Sequence, residues 1–290
     1  MSVELSERRR SLGMTLVLAS ALLFSASGVL TKAIDAGAWT VLTWRGLLGA
    51  LGVGLYVRLV RRDLSARAAL RLDAHGWLIA GVAATGSVTF ITAFKNTFVA
   101  NVSVIYATIP FAAAVLDRVL RGEPTRRQVL RASGWSLVGV VVIVAGSLGT
   151  PNVGGDLVAV VMVGLNALYM VLIRAFPETD AVLASAAGAG LLFVVGWPFV
   201  DPLDVSAGDA VLLVAFGVVF AVATVLWTEG TRRIPAAESG LLGTAETPIA
   251  IVLAWVALAE VPPAASVVGA VIVMVAVVAH AVRPWLSIES

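Results

Sequence analysis

The 290 residues are 59% hydrophobic and only 13% charged, where soluble domains carry about 25% charged residues. A mean hydropathy of +0.97 places the chain among polytopic membrane proteins, and a net charge of +2 gives no reason to expect a nucleic-acid partner. With no cysteine in the chain, disulfides, thiolate chemistry and cysteine metal sites are excluded.

A membrane-spanning helix needs roughly 20 mostly apolar residues, and ten segments meet that test. Arg8, Arg9 and Arg10 precede the first, Leu12–Ile34, which is long enough to span and is expected as a membrane helix rather than a cleaved signal. Trp39–Leu59, His75–Phe94, Phe98–Leu120 and Val129–Leu148 follow. The second five are Leu157–Phe176, Ala181–Phe199, Ala210–Thr231, Ala236–Ala259 and Ala265–Val282. Trp39, Trp77, Trp197 and Trp285 fall at segment ends, as an aromatic belt requires.

Lysine and arginine set the expected orientation. Of the 20 basic residues, Lys32 and Lys95 lie on one side and Arg45 within a segment; all the others share the side of the N-terminus. Losing one crossing would spoil that bias, so it also supports the count. Cytoplasmic termini follow, with tails at 1–11 and 284–290. Two five-segment units, 12–150 and 151–283, lie between them. Five crossings per unit means that a second unit of like fold is inserted upside down, as in inverted-repeat transporters with a site near the midplane. The expected fold is all-α, ten transmembrane helices as two inverted repeats around a central cavity.

The fourth and ninth segments carry the clearest duplication. Asn101–Glu123 has Pro110 in mid-run and closes on Glu123; Glu238–Glu260 has Pro248 in mid-run and closes on Glu260. Proline removes a backbone donor and clashes with the carbonyl four residues back, here Tyr106 and Thr244. Both sites read as packed kinks or as hinges with ligand-facing carbonyls.

With Thr108-Ile109-Pro110 and Arg121-Gly122-Glu123 in one half, Glu246-Thr247-Pro248 and Leu258-Ala259-Glu260 in the other, and Trp44-Arg45 in the second segment, the chain resembles the drug/metabolite transporter superfamily. The EamA-like branch is the nearer likeness, and within it the compact YddG-type exporters of aromatic and other amino acids. The resemblance implies a bacterial inner (plasma) membrane location, cytoplasmic termini, and efflux of amino acids or related metabolites by a monomer or homodimer, with no cofactor and no metal. It does not name the substrate.

Glu246 is an ionisable group at mid-span, costing about 2.5–3.5 kcal/mol on insertion scales if it behaves as aspartate does. It therefore faces the interior, either binding a substrate amine or a proton, or as a neutral acid bonded to a neighbouring helix. Ser239, Gly243, Glu246 and Ala250 recur on one small, polar face. Arg45 offers a planar fork for a substrate carboxylate, or else a structural ion pair. Further pocket candidates are Trp44, Asn101, Tyr106, Asn166, Tyr169, Trp227, Thr244, and Thr89 on a stripe with Thr85 and Thr92. Neutral hydroxyls in membrane helices often bond their own backbone instead. Lys32–Asp35 and Glu229–Arg233 read as surface pairs, Asp156 as an acid of the outer side, Glu238 as stabilised by a helix N-terminus, and Glu123 and Glu260 as structural. The fifth and tenth segments have almost no polar mid-span residue and are expected outside the pore.

The expected function is a secondary transporter, an exporter working by alternating access, with the hairpins of segments three–four and eight–nine moving. An uptake permease or a drug/cation exporter of the same fold is the near alternative. An intramembrane enzyme lacks its parts: His75 and His280 sit near segment ends, and no pair of mid-membrane aspartates exists.

Overall fold

The computed structural model describes residues 2–60, 72–122, 127–231, 233 and 242–286. Glu123, Glu238 and Ser239 fall outside these, as do the side chains of Arg174 and Trp285. Among the described residues there are helices and no strands. The helices are α1 (Ser2–Ser25), α2 (Ser27–Ala33), α3 (Ala38–Val60), α4 (Ala74–Asn96), α5 (Val99–Tyr106), α6 (Ile109–Arg121), α7 (Arg127–Gly146), α8 (Val153–Ala175), α9 (Ala181–Gly196), α10 (Ala207–Thr231), α11 (Glu246–Leu258) and α12 (Ala264–Leu286). Among the described residues, seven helical stretches are long and apolar enough to cross a membrane, and three shorter apolar ones lie at Ser133–Gly146, Glu246–Leu258 and Ala264–Ala276. Each coincides with one of the ten segments above.

The helix packing repeats when each segment is exchanged for the one five places away. α4 packs on α8 as α1 packs on α10; α9 packs on α4 as α10 packs on α3. The pairs α3–α9 and α7–α12 map onto themselves. That is the signature of two repeats folded against each other.

Each proline lies just past a break in its segment. Segment four turns at Ala107–Thr108, so that Pro110 enters the first turn of α6. Segment nine turns at 244–245, so that Pro248 is the third residue of α11. A missing N–H costs least in a first turn. Segment one also breaks, at Ala26, without a proline. There Ser25 Oγ donates to the Leu22 carbonyl at 2.6 Å, the kind of back-bond that bends helices. Two helices, α9 and α4, start on carboxylates. Asp180 accepts from Val182 N–H at 3.0 Å, and Asp73 accepts from Gly76 N–H at 2.8 Å, a bond that holds its carboxyl below the usual range.

α5 is the buried axis of the molecule: every residue from Val99 to Ile105 is buried. Its side chains join Ile143, Met162, Ala250 and Val273 in one core cluster. A second cluster, built on Leu42, Ile91, Leu213 and Phe216, lies beside it. α7 and α12 meet backbone to backbone, because a Cβ on Gly139 would lie 2.9 Å from the Gly269 carbonyl and one on Gly269 2.7 Å from that of Gly139. Small residues at such crossings replace the hydrophobic drive that lipid removes. Trp39, Trp77 and Trp197 are exposed at helix ends.

Candidate functional site: a cavity between the two repeats

The two broken helices create a space between the repeats. On the side away from the N-terminus, here the far end, their halves α5 and α11 are packed, with Thr247 Oγ1 donating to the Ser103 carbonyl at 3.2 Å. Around the two breaks lies a cavity of about 460 Å³. Its wall includes Ser27, Arg45, Ser87, Phe90, Tyr106 and Pro110 from the first repeat. Asn166, Tyr169, Phe220, Trp227, Thr244 and Glu246 come from the second. Among the described residues, none of its wall comes from α7, α9 or α12.

Arg45 is 5% exposed. Its Nη2 donates to Ser87 Oγ at 2.8 Å, and its guanidinium lies 4.2 Å from the Phe220 ring centroid, 5.5 Å from Phe90 and 5.6 Å from Phe216. Aromatic faces attract a cation but carry no negative charge. Among the described residues Arg45 has no carboxylate partner within ion-pair distance. Glu246, the first residue of α11, lines the same cavity. It too has no hydrogen bond or ion pair with a described residue. Tyr106 stands within electrostatic reach of both. Asn166 Nδ2 donates to the Met162 carbonyl at 2.9 Å, and the Tyr169 hydroxyl pairs with Ser185 Oγ at 2.6 Å.

Of the residues singled out in the sequence, the structure therefore gathers Arg45, Tyr106, Asn166, Tyr169, Trp227, Thr244 and Glu246, with Pro110, around one space. Trp44, Asn101, Thr89 and Pro248 are not in its wall. Trp44 Nε1 donates to the Pro202 carbonyl at 2.9 Å, tying a far-end loop. Thr89 Oγ1 bonds its own helix, at the Gly86 carbonyl 2.9 Å away. The cavity face of α4 is the neighbouring stripe Ala83, Gly86, Ser87 and Phe90. Pro248 faces outward and is exposed.

Asn101 belongs to a buried far-end network. Asp156 is fully buried rather than an exposed outer acid. It accepts from Thr97 Oγ1 at 2.6 Å, from Asn101 Nδ2 at 3.0 Å on each oxygen, and from Ser147 Oγ. Ser266 Oγ in turn donates to Asn101 Oδ1. Lys32 does not pair with Asp35. It reaches across to Glu260 Oε2 at 2.9 Å, whose other oxygen accepts the Val99 N–H at the start of α5 at 2.5 Å. The turn that aims Glu260 inward puts Ala259 in the left-handed region, φ 52°. The matching residue after α6 is Gly122, φ 68°, which adopts it freely. The Glu229–Arg233 pair forms at 2.5 Å, and the Tyr56 hydroxyl donates to Glu229.

Ser87, Phe90, Phe24 and Phe220 were missed. A phenylalanine in an apolar run carries no mark that separates a cavity wall from a lipid face; Ser87, four residues from Ala83 and three from Phe90 on one stripe, is the available signal.

The EamA-like transporter family model matches the chain twice, over residues 11–145 and 154–280. One solved structure, described only as "Crystal structure of protein", is similar with a TM-score of 0.67 and 21% identity, over 92% of this chain and 96% of that one. That likeness speaks for the fold alone. No curated protein matches. The family is made up of transporters and not enzymes. With two matched repeats spanning nearly its whole length, this chain belongs to the EamA-like transporter family and is a membrane transporter of small molecules.

Proposed function

We propose that the protein is a secondary transporter that carries amino acids or closely related metabolites out of the cell by alternating access. The observation that carries the reading is one cavity holding a guanidinium and a carboxyl group with no charged partner of their own. An uncompensated charge out of water costs several kcal/mol, so the guanidinium and the carboxyl group suit a ligand that supplies the complement to each. Arg45 suits a carboxylate, by a planar fork pre-set by Ser87 and the rings. Glu246 suits an ammonium group. The apolar part of the wall, with Met170, Ile173 and Trp227, takes a side chain, the usual make-up of a small-molecule site.

Basic residues on the N-terminal side put that side in the cytoplasm. The cavity then faces the cytoplasm and the packed end faces outward, the arrangement an exporter needs to load. Alternating access would part α5 from α11 and bring the other halves of the two broken segments together. The test is flux in proteoliposomes with a panel of amino acids, with and without a proton gradient. Flux of one or more neutral amino acids above that of empty vesicles is expected. A panel that moves no faster than through protein-free vesicles overturns the reading.

A further inference from the structure

The guanidinium and the carboxyl group of the cavity come from different repeats and from helices that do not pack on each other. Arg45 stands on α3, which packs against α9 and α10. Glu246 stands on α11, which packs against α1, α2 and α5. α3 and α11 share no extended contact. The repeat gives neither charge a counterpart: the residue that matches Glu246, two before its proline, is Thr108, and its hydroxyl is spent on the Ile105 carbonyl at 2.6 Å. Each repeat thus contributes one pole, and Tyr106 lies within electrostatic reach of both.

We propose that the substrate is gripped at both poles at once, carboxylate on Arg45 and ammonium on Glu246, and that this bridge between the repeats, not occupancy of either pole, permits the change of facing. The inference rests on the transport reading above and adds a rule to it. Closing the cavity removes water from whatever charges remain inside. A zwitterion leaves both poles matched in the closed form. A ligand with one charge matches one pole and strands the other, so it binds the open form and stalls there. A ligand shifts an equilibrium only by its difference in affinity for the two states, and a singly charged ligand favours the state it first meets.

The test uses the whole chain in proteoliposomes with phenylalanine, its deaminated counterpart 3-phenylpropionate and its decarboxylated counterpart 2-phenylethylamine. A second set is leucine, 4-methylpentanoate and isopentylamine. Competition from the same side reads binding; stimulation of labelled amino-acid exchange from the opposite side reads carriage and is blind to passive leak. Expected are competition by both the acid and the amine, and exchange stimulated by each at no more than a tenth of the parent amino acid's rate. If either singly charged molecule stimulates exchange as well as its parent, the bridge rule falls while the transport reading stands. Failure of both to compete overturns it too, since single poles then bind nothing. If neither amino acid exchanges at all, the transport reading itself falls.

Discussion

The far end of the bundle and the cavity are built from the same kinds of residue and use them in opposite ways. At the far end each polar group is spent on another. Asp156 takes the side chains of Thr97, Asn101 and Ser147, Glu260 takes Lys32 and a helix N-terminus, and Asp35 N–H donates to Asp209 Oδ1 at 2.9 Å. In the cavity, Arg45 and Glu246 are left without a countercharge. A buried polar group that the protein satisfies holds structure together; one left unsatisfied at a real energetic cost is held for something that arrives. The contrast separates Asn101 from Glu246, which the sequence placed in one category.

The sharpest way to break that comparison is to remove a group on each side of it. Asp156→Ala strands the Asn101 amide and the Thr97 hydroxyl in a dry site, leaving Ser147 only the Ile143 carbonyl at 3.3 Å, and each orphaned donor costs about 1–3 kcal/mol. The expected outcome is a loss of about 3 kcal/mol or more, read as a large fall in the apparent melting temperature in detergent and a poor yield of monodisperse protein. Glu246→Gln is the opposite case. It keeps the volume and removes a charge that no described residue neutralises, so the melting temperature is expected to hold or rise. Net flux in proteoliposomes falls at least about tenfold, the equivalent of 1.4 kcal/mol. Unchanged flux at all pH values would take Glu246 out of the mechanism.

The two prolines sharpen the comparison at a smaller scale. Pro110 lies in the cavity wall and Pro248 faces outward, although both sit in the first turn of a half-helix. Pro110→Ala restores a donor that can re-form a continuous segment through the cavity. Its expected effect is about a fivefold drop in flux, against less than about twofold for Pro248→Ala, 1.4 kcal/mol being tenfold. Equal effects would mean that the bend itself, and not its place in the wall, is what matters.

The helical segments, the two repeats and their breaks were legible because lipid leaves the backbone few options: every N–H and C=O must find a partner inside the helix or at a protected break. Glu246, Arg45 and Tyr106 were legible for a related reason, since a charged or strongly polar side chain in an apolar run has to face protein. What pattern alone cannot supply is the identity of the group it faces. Thr89 is content with its own backbone, Trp44 with a loop carbonyl nearly 160 residues away in sequence, and Asn101 with Asp156. Asp156 itself looked like a loop acid because it begins a segment; its burial depends on the ends of segments four, five and ten closing over it.

The smallest expected effect tests what keeps the far end shut. The Lys32–Glu260 pair joins the repeats, but its side chains keep 24% and 9% of their exposure, and water screens such a pair to within about 1 kcal/mol. Glu260 also retains the Val99 N–H when Lys32 is gone. Lys32→Gln should therefore loosen the seal without opening it. The chain has no cysteine of its own, so one placed at Gly86 reports the cavity cleanly. A Cβ there meets nothing nearer than Asn166 Nδ2 at 3.5 Å. A membrane-impermeant thiol reagent is expected to reach Gly86→Cys from the side of the N-terminus and to react slowly from the other. Adding Lys32→Gln should raise the far-side rate by up to about fivefold, the factor that roughly 1 kcal/mol allows, while Lys32→Arg leaves it near the starting value. A far-side rate that Lys32→Gln does not change would assign the seal to the buried Asp156 network and the α5–α11 contact, and leave the ion pair as a surface ornament of the turn that Ala259 strains to make.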